Sequence, residues 1–183
     1  MLGRIAIALL FFAGAPPFQL RDTQGVLHTQ SEWASHKAVV LFFVTIDCPV
    51  GNSYVPEMNR IRDAYAPRGV AFYAVQADTS VREPDVVRYA RDYRYSFPLL
   101  LDPTQILVRQ VGATITPQAA ILAPDAKLLY LGAIDDRFVD FGKSRPQATE
   151  SYLRSGLDDV LAGKPIAVST RHSIGCSIPR NFK

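Results

Sequence analysis

A chain of 183 residues, 48% of them apolar and 20% charged, can enclose one substantial core and leaves little room for a second. The formal charge is +3 with Lys and Arg scattered; Arg88, Arg91 and Arg94 on one predicted helix and Arg171-His172 near the end come nearest to clusters. That distribution excludes a basic nucleic-acid-binding face, and no nucleic-acid partner is expected.

Arg4 precedes an apolar run over residues 5–12, and Ala13-Gly14-Ala15 supplies small residues at the spacing a signal peptidase reads. Residues 1–15 are read as a signal peptide, against the alternative of a buried first strand in a cytosolic protein. The run is far shorter than the roughly 20 apolar residues of a membrane span, so no stable membrane anchor is expected. Export predicts a periplasmic or secreted protein in an oxidising compartment, where a disulfide persists. The remainder is read as one domain over residues 16–165 and a tail over 166–183.

Residues 18–22 alternate and run into Gln24-Gly25, a short strand entering a turn. Ser31 before Glu32, Trp33 and Ala34 marks a helix start, and His28 and His36 in this segment are expected at the surface without a special role. Residues 38–44 are apolar throughout and rich in Val and Phe, as in a strand buried on both faces. From Ser53 the period changes: Tyr54, Met58, Ile61 and Tyr65 share one helical stripe, with Glu57, Arg60, Arg62 and Asp63 off it. Pro56 inside this helix is expected to kink it or mark a restart. Pro67-Arg68-Gly69 breaks the pattern, residues 70–75 give a second buried strand, and the unit is βαβ.

Glu83-Pro84-Asp85 opens another helix, with Val86, Val87, Ala90 and Tyr93 as its apolar face. Residues 97–101 are a short apolar segment, and Ile106, Leu107, Val108 and Val111 make a brief helix stopped by Gly112. After Thr116-Pro117 a hairpin over 118–131 turns at residues 124–127. An amphipathic helix from about Ala148 to Leu161 ends at Gly163. The order β-α-β-α-β-β-α specifies an α/β fold, a central sheet with helices on both faces.

The candidate chemistry lies where the strand over 38–44 stops, at Thr45-Ile46-Asp47-Cys48-Pro49. Cys48 falls at the carboxyl end of that strand, where open α/β sheets place their chemistry, and on a strand-to-helix turn. First-turn amides and the positive end of a helix dipole favour an anion, and the thiolate is the nucleophilic form of cysteine. Pro49 fits the first helical position, whose N–H has no internal partner. Asp47 opposes ionisation unless its side chain points to water. The alternative is a buried, inert cysteine at a strand end.

Residues 42–49, with Thr45-Ile46-Asp47-Cys48 as a TxxC, are followed by Phe97-Pro98-Leu99-Leu100-Leu101-Asp102, Gly112-Ala113-Thr114-Ile115-Thr116-Pro117, residues 129–136 and Gly175-Cys176-Ser177-Ile178. In this order they resemble the thioredoxin-like redoxins, and among them the peroxiredoxin-like group related to the alkyl hydroperoxide reductase and thiol-specific antioxidant proteins. The resemblance covers most of the chain after the leader and implies a thioredoxin fold, a central mixed β-sheet flanked by helices on both faces. It makes Thr116-Pro117 the cis-proline that lies against the active cysteine and presents backbone for substrate pairing. Pro56 stands at the spacing where thioredoxins kink their active-site helix. Four positions depart from the family. Gly51 replaces the second cysteine of CxxC, Leu41 replaces the proline of PxxxTxxC, no arginine lies near Thr116-Pro117, and Phe42 stands where thioredoxins bury an acid.

Cys176 is the one other cysteine, in a tail expected to be flexible and exposed. The expected mechanism has the Cys48 thiolate attack a disulfide or oxidised sulfur, after which Cys176 displaces the product and leaves a Cys48–Cys176 bond. Thr45 is expected to hydrogen-bond the thiolate, and amides after Cys48 to bind developing charge. Catalytic candidates are thus Cys48, Cys176 and Thr45. Pro49, Thr116, Pro117 and Asn52 stand on the substrate side, with helix capping the first expectation for Asn52 and Tyr54 shaping the pocket. This antioxidant or thiol–disulfide exchange chemistry calls for no cofactor and no metal. Its partners are a protein or small-molecule thiol, disulfide or hydroperoxide.

Three alternatives stay open. One is a structural disulfide pinning the tail, which for so long a loop stabilises by roughly 4 to 5 kcal/mol in the entropic model. Another is an exported copper-binding chaperone using Cys48, Cys176 and His172. The third is a redox-inactive binding module, in which both cysteines are dispensable.

Overall fold

In the computed structural model, which describes residues 17–180, the chain enters through a hairpin. β1 (Gln19–Arg21) and β2 (Leu27–Thr29) pair antiparallel, and Gly25 takes the left-handed φ of 82° at their turn. The expected signal peptide lies outside the described residues. A 3-10 turn over Gln30–Ser35 begins at a capping box in which Glu32 accepts the Thr29 amide at 2.9 Å, and it buries Trp33.

β3 (Ala38–Val44) is buried at every position and leads into α1 (Pro49–Tyr65), β4 (Val70–Gln76) and α2 (Glu83–Asp92). β5 (Leu99–Leu101) and α3 (Ile106–Val111) follow, α3 ending at Gly112 with φ 75°. The chain then forms β6 (Ile115–Thr116), β7 (Gln118–Leu122) and β8 (Leu128–Gly132), a small ribbon of β9 (Phe138–Asp140) and β10 (Lys143–Ser144), α4 (Tyr152–Leu161) and β11 (Cys176–Ser177).

Five strands make one sheet in the order β5-β4-β3-β7-β8. The β5, β4 and β3 neighbours run parallel, whereas β7 is antiparallel to both β3 and β8. Alternation along β3 divides the core. Val40, Phe42 and Val44 pack with Met58 and Ile61 of α1, Val86 of α2 and Leu157 of α4, while Val39, Leu41 and Phe43 meet Trp33 and Leu107 and Val111 of α3. Helices therefore cover both faces of a mixed sheet, which is a thioredoxin-like fold. Phe42 fills its buried position by aromatic packing, with ring centroids 5.7 Å from Phe97 and 6.3 Å from Phe72. No helix among the described residues is long and apolar enough to cross a membrane.

Four local expectations change. α1 starts at Pro49, a turn earlier than its apolar stripe, and continues through Pro56 without interruption. α2 buries Val86 and Tyr89, leaving Val87 and Tyr93 exposed, because the Tyr89 hydroxyl has polar partners inside, Asn52 and Tyr95. α4 begins only at Tyr152, since the Asp136 carboxylate accepts the Thr149 and Glu150 amides at 2.7 and 2.9 Å and holds them in a loop. His28 is not a bland surface residue: its ring bridges Asp22 at 3.1 Å and Glu32 at 3.0 Å, joining the first hairpin to the 3-10 turn.

Leu107 is fully buried in the core on the α3 face. Leu107→Ala is expected to lower unfolding stability by about 2–5 kcal/mol, measured by urea denaturation of the reduced protein.

Candidate active site

The site begins where β3 ends. The Cys48 amide returns to the Thr45 carbonyl at 3.2 Å, which closes the turn, and Cys48 becomes the N-cap of α1 with Pro49 inside the first turn. Its Sγ accepts the Gly51 amide at 3.4 Å, so the sulfur itself takes the place of a capping oxygen. The cap being occupied, Asn52 does something else. Its Nδ2 donates to the Ile46 carbonyl at 3.0 Å and its Oδ1 accepts the Tyr89 hydroxyl at 2.9 Å. Asn52 thus ties the Cys48 loop to α2. Nothing in the sequence pattern around Tyr89 singles it out, because a tyrosine on an amphipathic helix reads as ordinary core.

A second element arrives from residue 116. The Thr116–Pro117 peptide is cis, and the Thr116 carbonyl lies 2.9 Å from Cys48 Sγ as acceptor of its thiol proton. Thr45 Oγ1 is 3.2 Å from Thr116 Oγ1, so the hydrogen bond expected between Thr45 and the sulfur is made to Thr116 instead.

The tail supplies the third element, and it is not the free, exposed segment expected. Past α4 it runs beside β8, with the Leu131 amide on Ser169 and the Ala133 amide on Arg171, at 3.0 and 3.3 Å. It then turns across the site, where β11 pairs antiparallel with β6 and sets Cys176 opposite Thr116. The Ile178 amide reaches the Thr114 carbonyl at 2.9 Å, and the Ile178 side chain is buried with Leu107 and Trp33 in the second core. Burial of one large apolar side chain, worth about 1.5–3 kcal/mol, gives the tail an anchor. Cys48 is 0% exposed, and Cys176 is partly exposed.

Burial raises the Cys48 pKa, but hydrogen bonds from the Cys176 thiol, the Gly51 amide, the Thr116 hydroxyl and the Cys176 amide outweigh it, and the value falls below the ordinary thiol range. The Thr116 carbonyl is the one contact that favours the neutral form. Cys176 moves oppositely: burial, the hydrogen bond it gives Cys48 and the charge on Cys48 push it up to about 11. Asp47 is exposed, the orientation in which it opposes ionisation least.

Tyr54 donates to Asp135, and Arg137 stacks over the Tyr54 ring at 4.0 Å while its Nη2 donates to the Ser53 carbonyl at 3.0 Å. These contacts brace the first turns of α1. Among the described residues no group of three or more His, Cys, Asp or Glu side chains is gathered that could hold a metal, and His172 is exposed.

Residues 13–131 match the model of the AhpC/TSA family, so Cys48 and Thr116 lie inside the match and Cys176 outside it. No curated protein matches the sequence. A hypothetical protein from Sinorhizobium meliloti 1021 shares the structure with a TM-score of 0.78 at 28% identity, over 94% of this chain and 95% of that one. An uncharacterized conserved protein from Geobacillus kaustophilus gives 0.76 at 28% identity over 100% of both chains. A putative thiol:disulfide interchange protein from Chlorobium tepidum gives 0.56 at 23% identity, over 64% of this chain and 81% of its own, a likeness of fold. With a thioredoxin-like sheet, a sulfur at the cap of its first long helix and a family match over most of the domain, the chain belongs to the AhpC/TSA family, whose membership supports a thiol-based redox function.

Proposed function

We propose that the protein is a thiol–disulfide oxidoreductase with Cys48 as nucleophile and Cys176 as resolving thiol. One observation carries the reading: β11 sets Cys176 opposite Thr116, whose carbonyl lies 2.9 Å from Cys48 Sγ at the N-terminus of α1, so both thiols come to one site, and the one at the cap is the more acidic. The Cys48 thiolate attacks a disulfide R–S–S–R′, forming Cys48–S–S–R and releasing R′–S⁻, which takes up a proton. Cys176 then loses its proton and attacks Cys48 Sγ, expelling R–S⁻. The substrate has gained two electrons and the chain has lost two, as a Cys48–Cys176 disulfide.

The order of steps follows from the electrostatics. While Cys48 is anionic, its charge and its hydrogen bond hold Cys176 protonated. Once Cys48 is bonded to substrate that charge is gone, only burial still raises the Cys176 pKa, and Cys176 ionises more readily. Gly51 and the Cys176 amide serve the developing thiolate, Thr45 orients the Thr116 hydroxyl, and Pro49 opens α1. Asn52 fixes the Cys48 loop, and Thr116 with Pro117 forms the wall on which substrate backbone lies.

Disulfides suit this site better than hydroperoxides, because the groups that lower the Cys48 pKa are all neutral and no guanidinium is among them. Nothing favours the copper reading, since His172 stands exposed and, among the described residues, belongs to no group of three or more His, Cys, Asp or Glu side chains that could hold a metal. Export through residues 1–15 would place the pair in an oxidising compartment, where the disulfide it forms persists between turnovers.

Cys48→Ser abolishes turnover of a model disulfide, whereas Cys176→Ser accumulates a mixed disulfide on Cys48 that mass spectrometry without reductant detects; equal residual turnover in the two variants would contradict the assignment. In the reduced, unmutated chain the pH midpoint for iodoacetamide labelling of Cys48 lies below that of the same cysteine in the urea-unfolded chain, since a lowered pKa leaves more thiolate at neutral pH. In Cys176→Ala that midpoint moves to higher pH, because the thiol donor is lost.

A further inference from the structure

The tail does more in this geometry than carry a second sulfur. β11 lies antiparallel on β6 at the residue before Pro117, the position that the proposed function gives to substrate backbone, and with it in place Cys48 is closed to solvent. The fit depends on two glycines. A Cβ on Gly175 would fall within the van der Waals envelope of the Thr116 carbonyl oxygen, 2.8 Å from its carbon and 3.1 Å from Pro117 Cδ. One on Gly132 would lie 2.6 Å from the Arg171 backbone. A side chain in the place of Gly175 would push the strand off Thr116 and draw the next residue's sulfur away from Cys48.

The hold is also local. β11 has two residues, its anchors are the buried Ile178 and the Pro179 carbonyl, which accepts Gln105 Nε2 at 2.6 Å, and the buried Ser173 hydroxyl has no hydrogen-bond partner, a desolvation cost that release of the tail recovers. Segments held by few bonds open locally without unfolding the domain.

Resting on the oxidoreductase reading, we infer that the tail is the resident ligand of the groove beside Thr116, and that the groove's external substrates are disulfides on extended segments with glycine immediately before the cysteine. Such a segment displaces the tail and lays its Gly-Cys where Gly175-Cys176 lay. Cys48 attacks the cysteine sulfur, the thiol bonded to it leaves, and the mixed disulfide forms. The segment then slides out as the tail returns, and Cys176 attacks Cys48 Sγ and expels the substrate thiolate.

The test uses full chains carrying Cys176→Ser, with and without Gly175→Val. Gly175→Val is expected to speed iodoacetamide labelling of Cys48 by about tenfold or more, since it blocks docking of the tail; an unchanged rate overturns the inference. The second probe is a peptide Ser-Ile-Gly-Cys-Ser-Ile-Pro carrying thionitrobenzoate on its cysteine, against the same peptide with alanine for glycine. In the opened variant the glycine peptide is expected to release thionitrobenzoate roughly tenfold faster, as a misplaced methyl costs in a tight site. Two peptides that react equally overturn the inference alone. Faster labelling with no release from either peptide overturns the oxidoreductase reading, and the substrate class with it. A further measurement needs no substitution at Gly175: in the reduced, unmutated chain, Cys48 labelling is expected to keep pace with amide exchange at Ile178. Labelling that keeps pace with exchange in β3 instead, and so with global unfolding, overturns the inference.

Discussion

A sulfur serving as the cap of a helix is the constraint on which the structure turns. The first amides of α1 need acceptors, and Cys48 Sγ is the acceptor that meets the Gly51 amide. Oxygen caps do the same work in most helices, but a sulfur there gains acidity from the bond, and acidity is what a nucleophilic thiol requires. The rest follows from holding that atom in position. β3 must be apolar on both faces to be the central strand that delivers it, Thr45 must close the turn, and Asn52 must hold the Ile46 carbonyl so that the loop does not slacken.

The same arrangement explains how a chain without CxxC can still bring two thiols together. The Gly51 position stays small and gives its amide to the sulfur, while the second thiol comes from 128 residues further along, on a strand paired to the residue before Pro117. Cys176 lies beyond residues 13–131, the part that matches the AhpC/TSA family, whereas the Geobacillus kaustophilus structure matches over the whole chain. The neutral cradle of amide, hydroxyl and thiol around Cys48 also separates it chemically from a site built on a cationic neighbour.

Much of the fold was legible because periodicity is local. The apolar run at 38–44, the helical stripe through Met58 and Ile61 and the hairpin after Pro117 each announce themselves within a dozen residues. Cys48 with Pro49 was legible for the same reason, as a pattern change at a strand end. The tail was not. A two-residue strand pairing across 60 residues leaves no period to read, and Gly175 marks a close approach whose partner, the Thr116 backbone, only the folded chain supplies. The late start of α4 and the bridge at His28 were hidden likewise, since each depends on a carboxylate brought from elsewhere in the sequence or across a turn.

The central claim is that Cys48 and Cys176 form a working couple rather than a staple, and the reduction potential of their disulfide separates the two. Equilibration of the full chain against glutathione buffers, read by mass spectrometry, should give a single two-electron transition between about −270 and −120 mV, the span of working thiol oxidoreductases. A disulfide still intact below about −300 mV would be structural, and one that never forms between these two sulfurs would remove the couple altogether; either result contradicts the account.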